Sequence, residues 1–173
     1  MRSYAVVLFF GLLLAFIAFQ ARTGIFRRSN PGEPANKYMR EMMSAPQLSG
    51  EDAALIRTKF PTAHVTSSGL RYIVRAPGAG ELPPVGAEIT AHYHGTFLDG
   101  RKFDSSYDRH EPFRFPLGAG RVIKGWDEAF ATMHKGEKRT LIVPWWLAYG
   151  ENGRGSIPPR TTLVFEVELL DFR

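Results

Sequence analysis

Residues 87–100 read AEITAHYHGTFLDG, and no other stretch narrows the choice of fold as much. Side chains along a strand point to alternate faces. Ile89, Ala91, Tyr93, Gly95 and Phe97 therefore share one face, and Thr90, His92, His94 and Thr96 share the other. A helical period of 3.6 would mix the two sets, so the alternation predicts a half-buried strand. Asp99-Gly100 follows at once, a strong hairpin-turn signal. The chain is thus committed to an antiparallel sheet in this region.

The neighbouring segments fit the same plan. GLRYIVRAPGAG reads as a short strand ending in a Pro/Gly turn. RKFDSS and EPFRFPLG read as further strands, or as bulged edges near a proline. GWDEAFATM is a short amphipathic helix with Trp126, Phe130 and Met133 near one face. HKGEKRTLIVP gives a turn and a strand, and RTTLVFEVELLDF a long final strand with alternating acids. The sum is an α+β domain, an antiparallel sheet with one short helix packed on it.

Upstream the character changes. Residues 3–21 carry no charge, about the length that crosses a bilayer core as a helix. Ala15, Ala18 and Ala21 are spaced by three and give no clean A-x-A cleavage signal. The expectation is an uncleaved membrane anchor over residues 1–21, with a cleaved signal segment as the alternative. Arg22, Arg27 and Arg28 after the run would hold its C-terminal side in the cytoplasm. Export of the globular part is the commoner fate behind a single hydrophobic segment, so orientation stays open with a lean to export. Residues 22–66 read as a basic linker with one helical turn around residues 37–43. A second short helix begins at Ser49, whose hydroxyl and Asp52 resemble a capping box, and Pro61 ends it. The globular domain is set at residues 67–173 and is expected to fold alone.

The net charge of +5 tempts one toward nucleic acid. Yet residues 1–60 hold 8 Lys and Arg against 4 Asp and Glu, while residues 61–173 hold 14 against 13. The basic excess lies off the fold, which argues against a nucleic-acid module. With no cysteine, disulfides and thiolate chemistry are excluded.

Familiar catalytic templates fail one by one. His92 and His94 share a strand face, but a metal site needs a third ligand, so they read as exposed imidazoles. Ser105 and Ser106 lack a Gly-x-Ser-x-Gly elbow. Asp104 and Arg109 read as an ion pair, and Asp127 and Glu128 as acids suited to a helix start. YGENGRGS is glycine-rich but lacks the Lys-Ser/Thr of a phosphate loop. What remains is a concentration of aromatic residues beside turns.

The order of motifs is more specific. DGRKFDSS, VIKGWDEA, AYG and IPPRTTLVFEVELL occur in sequence with nearly the right spacing, so residues 67–173 resemble the FKBP-type, macrolide-binding peptidyl-prolyl cis-trans isomerases. The resemblance implies a twisted antiparallel sheet wrapped around one short helix, no cofactor and no metal. It implies proline-containing polypeptides as substrates and macrolides such as tacrolimus or rapamycin as inhibitors. Carried over position by position, the catalytic set is Tyr93, Phe103, Asp104, Trp126, Tyr149 and Phe165. The substrate-binding set is Arg109, Phe113, Val122, Ile123 and Ile157. By the same resemblance Trp126 floors the proline ring, and Tyr93, Phe103 and Phe165 line the carbonyl slot. The Ile123 N–H and the Tyr149 hydroxyl donate to the peptide. The implied role is a monomeric folding helper of exported proteins; a proline-binding module without turnover is the alternative.

The chain departs from the family pattern at Arg121, at Trp145-Trp146, and in a loop before Ile157 that is one residue short and carries Arg154 and Ser156. These positions bear on peptide preference and drug affinity rather than on the core activity.

Overall fold

The computed structural model describes residues 45–173 of the chain. The expected membrane segment at residues 3–21 and the helical turn near residue 40 lie outside the described residues. Among the described residues, no helix is long and apolar enough to cross a membrane.

Among the described residues nine elements follow one another: α1 (Gly50–Lys59), β1 (His64–Val65), β2 (Arg71–Ala76), β3 (Glu88–Phe97), β4 (Lys102–Ser105), β5 (Phe113–Pro116), α2 (Lys124–Phe130), β6 (Lys138–Val143) and β7 (Leu163–Phe172). A single 3-10 turn at Trp145–Leu147 lies between the last two strands. The seven strands form one sheet in the order β1-β2-β6-β7-β3-β4, with β5 also paired to β3. Every pairing is antiparallel.

β3 shows the expected alternation without a break: Ile89, Ala91, Tyr93, Gly95 and Phe97 are buried, and the residues between them are half-buried. Its outer edge is shared. β5 pairs with the first half and β4 with the second, and residues 106–112 loop out between them. The bulged edge read from RKFDSS and EPFRFP is this division of one edge between two short strands.

α2 carries Trp126, Ala129 and Phe130 into the main core, where Phe130, Ile89, Leu141, Leu163 and Leu169 are fully buried. Gly125 lets the helix approach β6, since a Cβ there would lie 2.6 Å from Val143 Cγ1. The helix stops at Phe130, earlier than GWDEAFATM implied. Thr132 and Met133 instead donate three-residue turn bonds to Ala129 and Phe130. The tighter turn still brings Met133 fully into the core. Behind it, the buried Arg139 guanidinium bonds Glu137 Oε1 at 2.6 Å and the Thr132 carbonyl at 2.6 Å. Glu137 in turn accepts from the His134 N–H at 2.9 Å. This network ties the end of α2 to β6.

α1 begins as the sequence suggests, with the Ser49 hydroxyl accepting from the Asp52 N–H at 3.0 Å. Its place in the linker does not hold. Ile56 is buried in a second cluster with Leu98, Ile142 and Val164, and the Thr162 hydroxyl donates to Asp52 Oδ2 at 2.6 Å. β1, also upstream of residue 67, pairs with β2. The compact unit runs Pro46–Arg173, so a boundary at residue 67 cuts through a packed apolar contact. Local sequence could show that α1 exists but not what its few apolar residues would meet.

Candidate active site

The site forms where β3, β4, β7 and α2 converge. Gly95 pairs with Asp104 of β4 on one side and Phe165 of β7 on the other. A Cβ at Gly95 would stand 2.7 Å from Phe103 Cζ and 3.1 Å from Phe165 Cε1. The missing side chain is therefore the space into which those two rings lean. They meet edge to face, with centroids 5.6 Å apart at 88°.

Trp126 is the hub of the aromatic group. Its ring lies 5.0 Å from Tyr93, 5.3 Å from Phe165 and 6.1 Å from Phe113, all edge-on. Phe115 and Phe130 back it at 5.8 and 5.6 Å. Such tilted contacts suit aromatic quadrupoles better than flat stacking. Above this floor opens a cavity of about 620 Å³. It is lined by Tyr93, Phe103, Asp104, Phe113, Val122, Ile123, Trp126, Tyr149 and Phe165, together with Arg121, Lys124 and Arg154.

Nine of the eleven expected site residues thus line one cavity. Ile157 lines an adjoining depression with Phe103, Asp104, Tyr149 and Arg154. Arg109 does not line the main cavity; it braces the wall from outside. One guanidinium nitrogen bonds Asp104 Oδ1 at 2.5 Å and the other bonds the Tyr93 hydroxyl at 2.7 Å. The Tyr93 hydroxyl in turn donates to Asp104 Oδ2. Lys124 was missed by the sequence reading, because nothing in its local pattern separates it from any lysine at a helix start.

Charge states follow from this triangle. Burial, then the bond to Asp104, pushes the Tyr93 phenol up to about 12. For Asp104, burial favours the neutral acid, but hydrogen bonds from Tyr93 and Arg109 together outweigh it and hold the carboxyl below its ordinary value. Burial also raises the Tyr149 phenol, with the Arg154 guanidinium opposing. At neutral pH the wall presents two neutral phenols and one neutralised carboxylate.

Besides the Trp126 indole, two neutral donors of the lining remain uncommitted. Among the described residues, neither the Tyr149 hydroxyl nor the Ile123 N–H has a protein partner, and both residues line the cavity. The indole N–H of Trp126 is buried and also without a partner among them.

The histidines and serines have other work. His92 is half-buried rather than solvent-facing. Its Nδ1 lies 2.9 Å from Ser106 Oγ, and its ring stacks on Tyr107 at 4.4 Å. Ser106 is fully buried, and its Oγ accepts from the Tyr93 N–H at 2.8 Å. The pair fixes the backbone behind Tyr93, on the sheet face turned away from the cavity. Asp127 accepts from the Gly118 and Gly120 N–H groups, and Glu128 from the Ser68 hydroxyl at 2.7 Å. They pin loops rather than only serving the helix dipole.

An antiparallel sheet wrapped on a short helix, with an aromatic slot between them, is the arrangement of an immunophilin-type isomerase. Residues 80–170 match the family model described as FKBP-type peptidyl-prolyl cis-trans isomerase. The chain is 49% identical over 106 residues to FK506-binding protein 1 of Dictyostelium discoideum, covering 61% of this chain and 99% of that protein. It is 46% identical over 124 residues to the FKBP-type peptidyl-prolyl cis-trans isomerase FkpA of Aeromonas hydrophila, covering 72% of this chain and 46% of that protein. The crystal structure of AtFKBP13 superposes with a TM-score of 0.61 at 39% identity, covering 64% of this chain and 98% of that one. The chain belongs to the FKBP-type peptidyl-prolyl cis-trans isomerase family.

Proposed function

We propose that the slot accelerates rotation about X-Pro bonds by stripping water from the bond and favouring its twisted form. Peptide-bond rotation costs about 18–20 kcal/mol because resonance stiffens the C–N bond. X-Pro isomers are close in energy yet exchange only in tens to hundreds of seconds. Twisting removes the resonance and reduces the charge on the carbonyl oxygen. Water stabilises the planar, polar ground state more, so a dry aromatic slot removes that advantage. A rate gain of about 10⁴ needs roughly 5–6 kcal/mol of differential stabilisation.

The roles proposed are those the family resemblance implies. Trp126 floors the proline ring, and Tyr93, Phe103 and Phe165 line the carbonyl side. The Ile123 N–H and Tyr149 hydroxyl hold the peptide backbone, while Arg109 and Asp104 fix Tyr93 in place. The observation that carries this reading is the pair of unpartnered donors on the lining of an aromatic slot. NMR exchange on a short X-Pro peptide tests it, because turnover broadens the cis and trans signals at catalytic protein concentration. Binding without exchange would instead favour a proline-recognition module.

The same slot suits macrolides such as tacrolimus or rapamycin, a reading supported by the relatives named FK506-binding proteins. We read the apolar run at residues 3–21 as a tether or an export signal, and the chain as a monomer that assists folding of exported proteins. N-terminal sequencing with cell fractionation tests the tether, and sedimentation of the detergent-solubilised chain tests the monomer.

A further inference from the structure

We infer that the cavity selects proline peptides carrying an acidic residue next to the proline, through a rim of unpaired cations formed by Arg121, Lys124 and Arg154. The inference rests on the catalytic reading above and concerns the substrate class of the same slot. All three side chains are exposed and line the cavity. Among the described residues, none of the three has a carboxylate within ion-pair distance, whereas Arg160, in the same loop region as Arg154, pairs with Glu151 at 2.6 Å. Among the described residues, the one carboxylate that lines the cavity, Asp104, is already committed to Arg109 and Tyr93. An incoming acid would therefore meet three free positive charges and no unneutralised negative one.

The cations also sit where they can act on residues that flank a bound proline. Arg121 and Lys124 stand within two positions of Ile123, whose N–H is one free donor. Arg154 lies with its guanidinium 6.0 Å from the Tyr149 ring centre, beside the other free donor. A backbone anchored on those two donors carries its neighbouring side chains past the rim. Complementary charge at an exposed rim raises association rate and specificity and is weakened by salt. The AtFKBP13 likeness and the family match concern the fold and the reaction; this charge pattern belongs to the particular side chains present here.

The test compares peptides that differ only in having Glu, Gln or Lys immediately before or immediately after proline. For the wild-type chain and for Arg121→Gln/Lys124→Gln/Arg154→Gln, kcat/KM is read by NMR exchange, and affinity is read separately by calorimetry. The expected result at low salt is a preference for Glu over Gln of roughly five- to tenfold at one or both positions, with Lys disfavoured, shrinking as salt shortens the screening length. In the triple variant the Glu/Gln ratio falls toward one, with circular dichroism checking the fold. Turnover of all three peptides at equal kcat/KM, with equal affinity, would overturn the rim assignment while leaving the isomerase reading intact. Tighter binding of the Glu peptide without any exchange would sink the catalytic reading and leave the rim assignment standing.

Discussion

The Tyr93 hydroxyl donates to the Asp104 carboxylate across the β3–β4 edge, while the same oxygen accepts from Arg109 at 2.7 Å. One phenol thus serves as both donor and acceptor in a charged triangle that forms the wall of the slot. Burial, then the bond to Asp104, pushes the phenol up to about 12, while the bonds from Tyr93 and Arg109 outweigh burial and hold the Asp104 carboxyl down, so both titrating members move away from neutrality.

Isomerisation should accordingly be nearly flat between about pH 6 and 9, a window in which a histidine-based acid or base would leave a limb. The check is kcat/KM for a neutral X-Pro peptide by NMR exchange, with circular dichroism confirming the fold. A tenfold change centred within that window, in a folded protein, would mean a proton moves in the mechanism.

Stability carries the same signature at the extremes. Asp104 has a lowered folded pKa, so its contribution is present above the ordinary carboxylate range and is lost as pH falls through the folded value. Its side chain is 44% exposed, which keeps that contribution to about 1 kcal/mol or less after solvent screening. Tyr93 has a raised folded pKa, so its contribution is complete below about 10 and is lost as pH rises toward about 12. Denaturant curves for wild type and Tyr93→Phe should therefore converge between about pH 10 and 12.

Gly95→Ala should lower kcat/KM even though it adds a single methyl. The new Cβ meets Phe103 and Phe165 from below, and tilting either ring narrows the slot. Overpacking of this kind costs about 1–3 kcal/mol of stability. Peptide kinetics on protein shown to be folded by denaturation would separate the two effects, and unchanged kinetics would show that the rings do not set the slot.

Trp126→Ala should lose about 3–5 kcal/mol of stability and most of the turnover. Trp126→Phe is the sharper variant. The indole N–H has no protein partner among the described residues, so its loss strands no acceptor, and the fold should survive with weakened substrate affinity. A rise in KM is the expected readout for this variant.

Residues 67–173 should be markedly less stable than residues 46–173. The shorter piece uncovers Leu98, Ile142 and Val164 and removes β1. Ile56→Ala alone should cost about 2–5 kcal/mol, toward the low end because the site lies under a surface helix. Thermal melts check both, and activity per folded molecule should persist because none of the described residues of the slot lies before 67. Equal melting temperatures for the two pieces would show that α1 adds nothing to the domain.

Sequence alone determined the strand at residues 88–97, the hairpin after it, the capped start of α1 and the short helix containing Trp126. Each depends on side-chain period, turn chemistry or a local cap, and these are properties of neighbouring residues. The aromatic slot was legible only because its motifs occur in a characteristic order; the rings themselves are equally compatible with an ordinary core. Tertiary structure decided that Gly95 leaves space for two of those rings, that Arg109 stands behind Tyr93 instead of lining the cavity, and that Ser106 and His92 brace a backbone. It also decided that α1 belongs to the domain, since Ile56 meets Leu98, Ile142 and Val164 only once β3, β6 and β7 are paired. These contacts join residues tens of positions apart, and only the paired sheet brings them within reach.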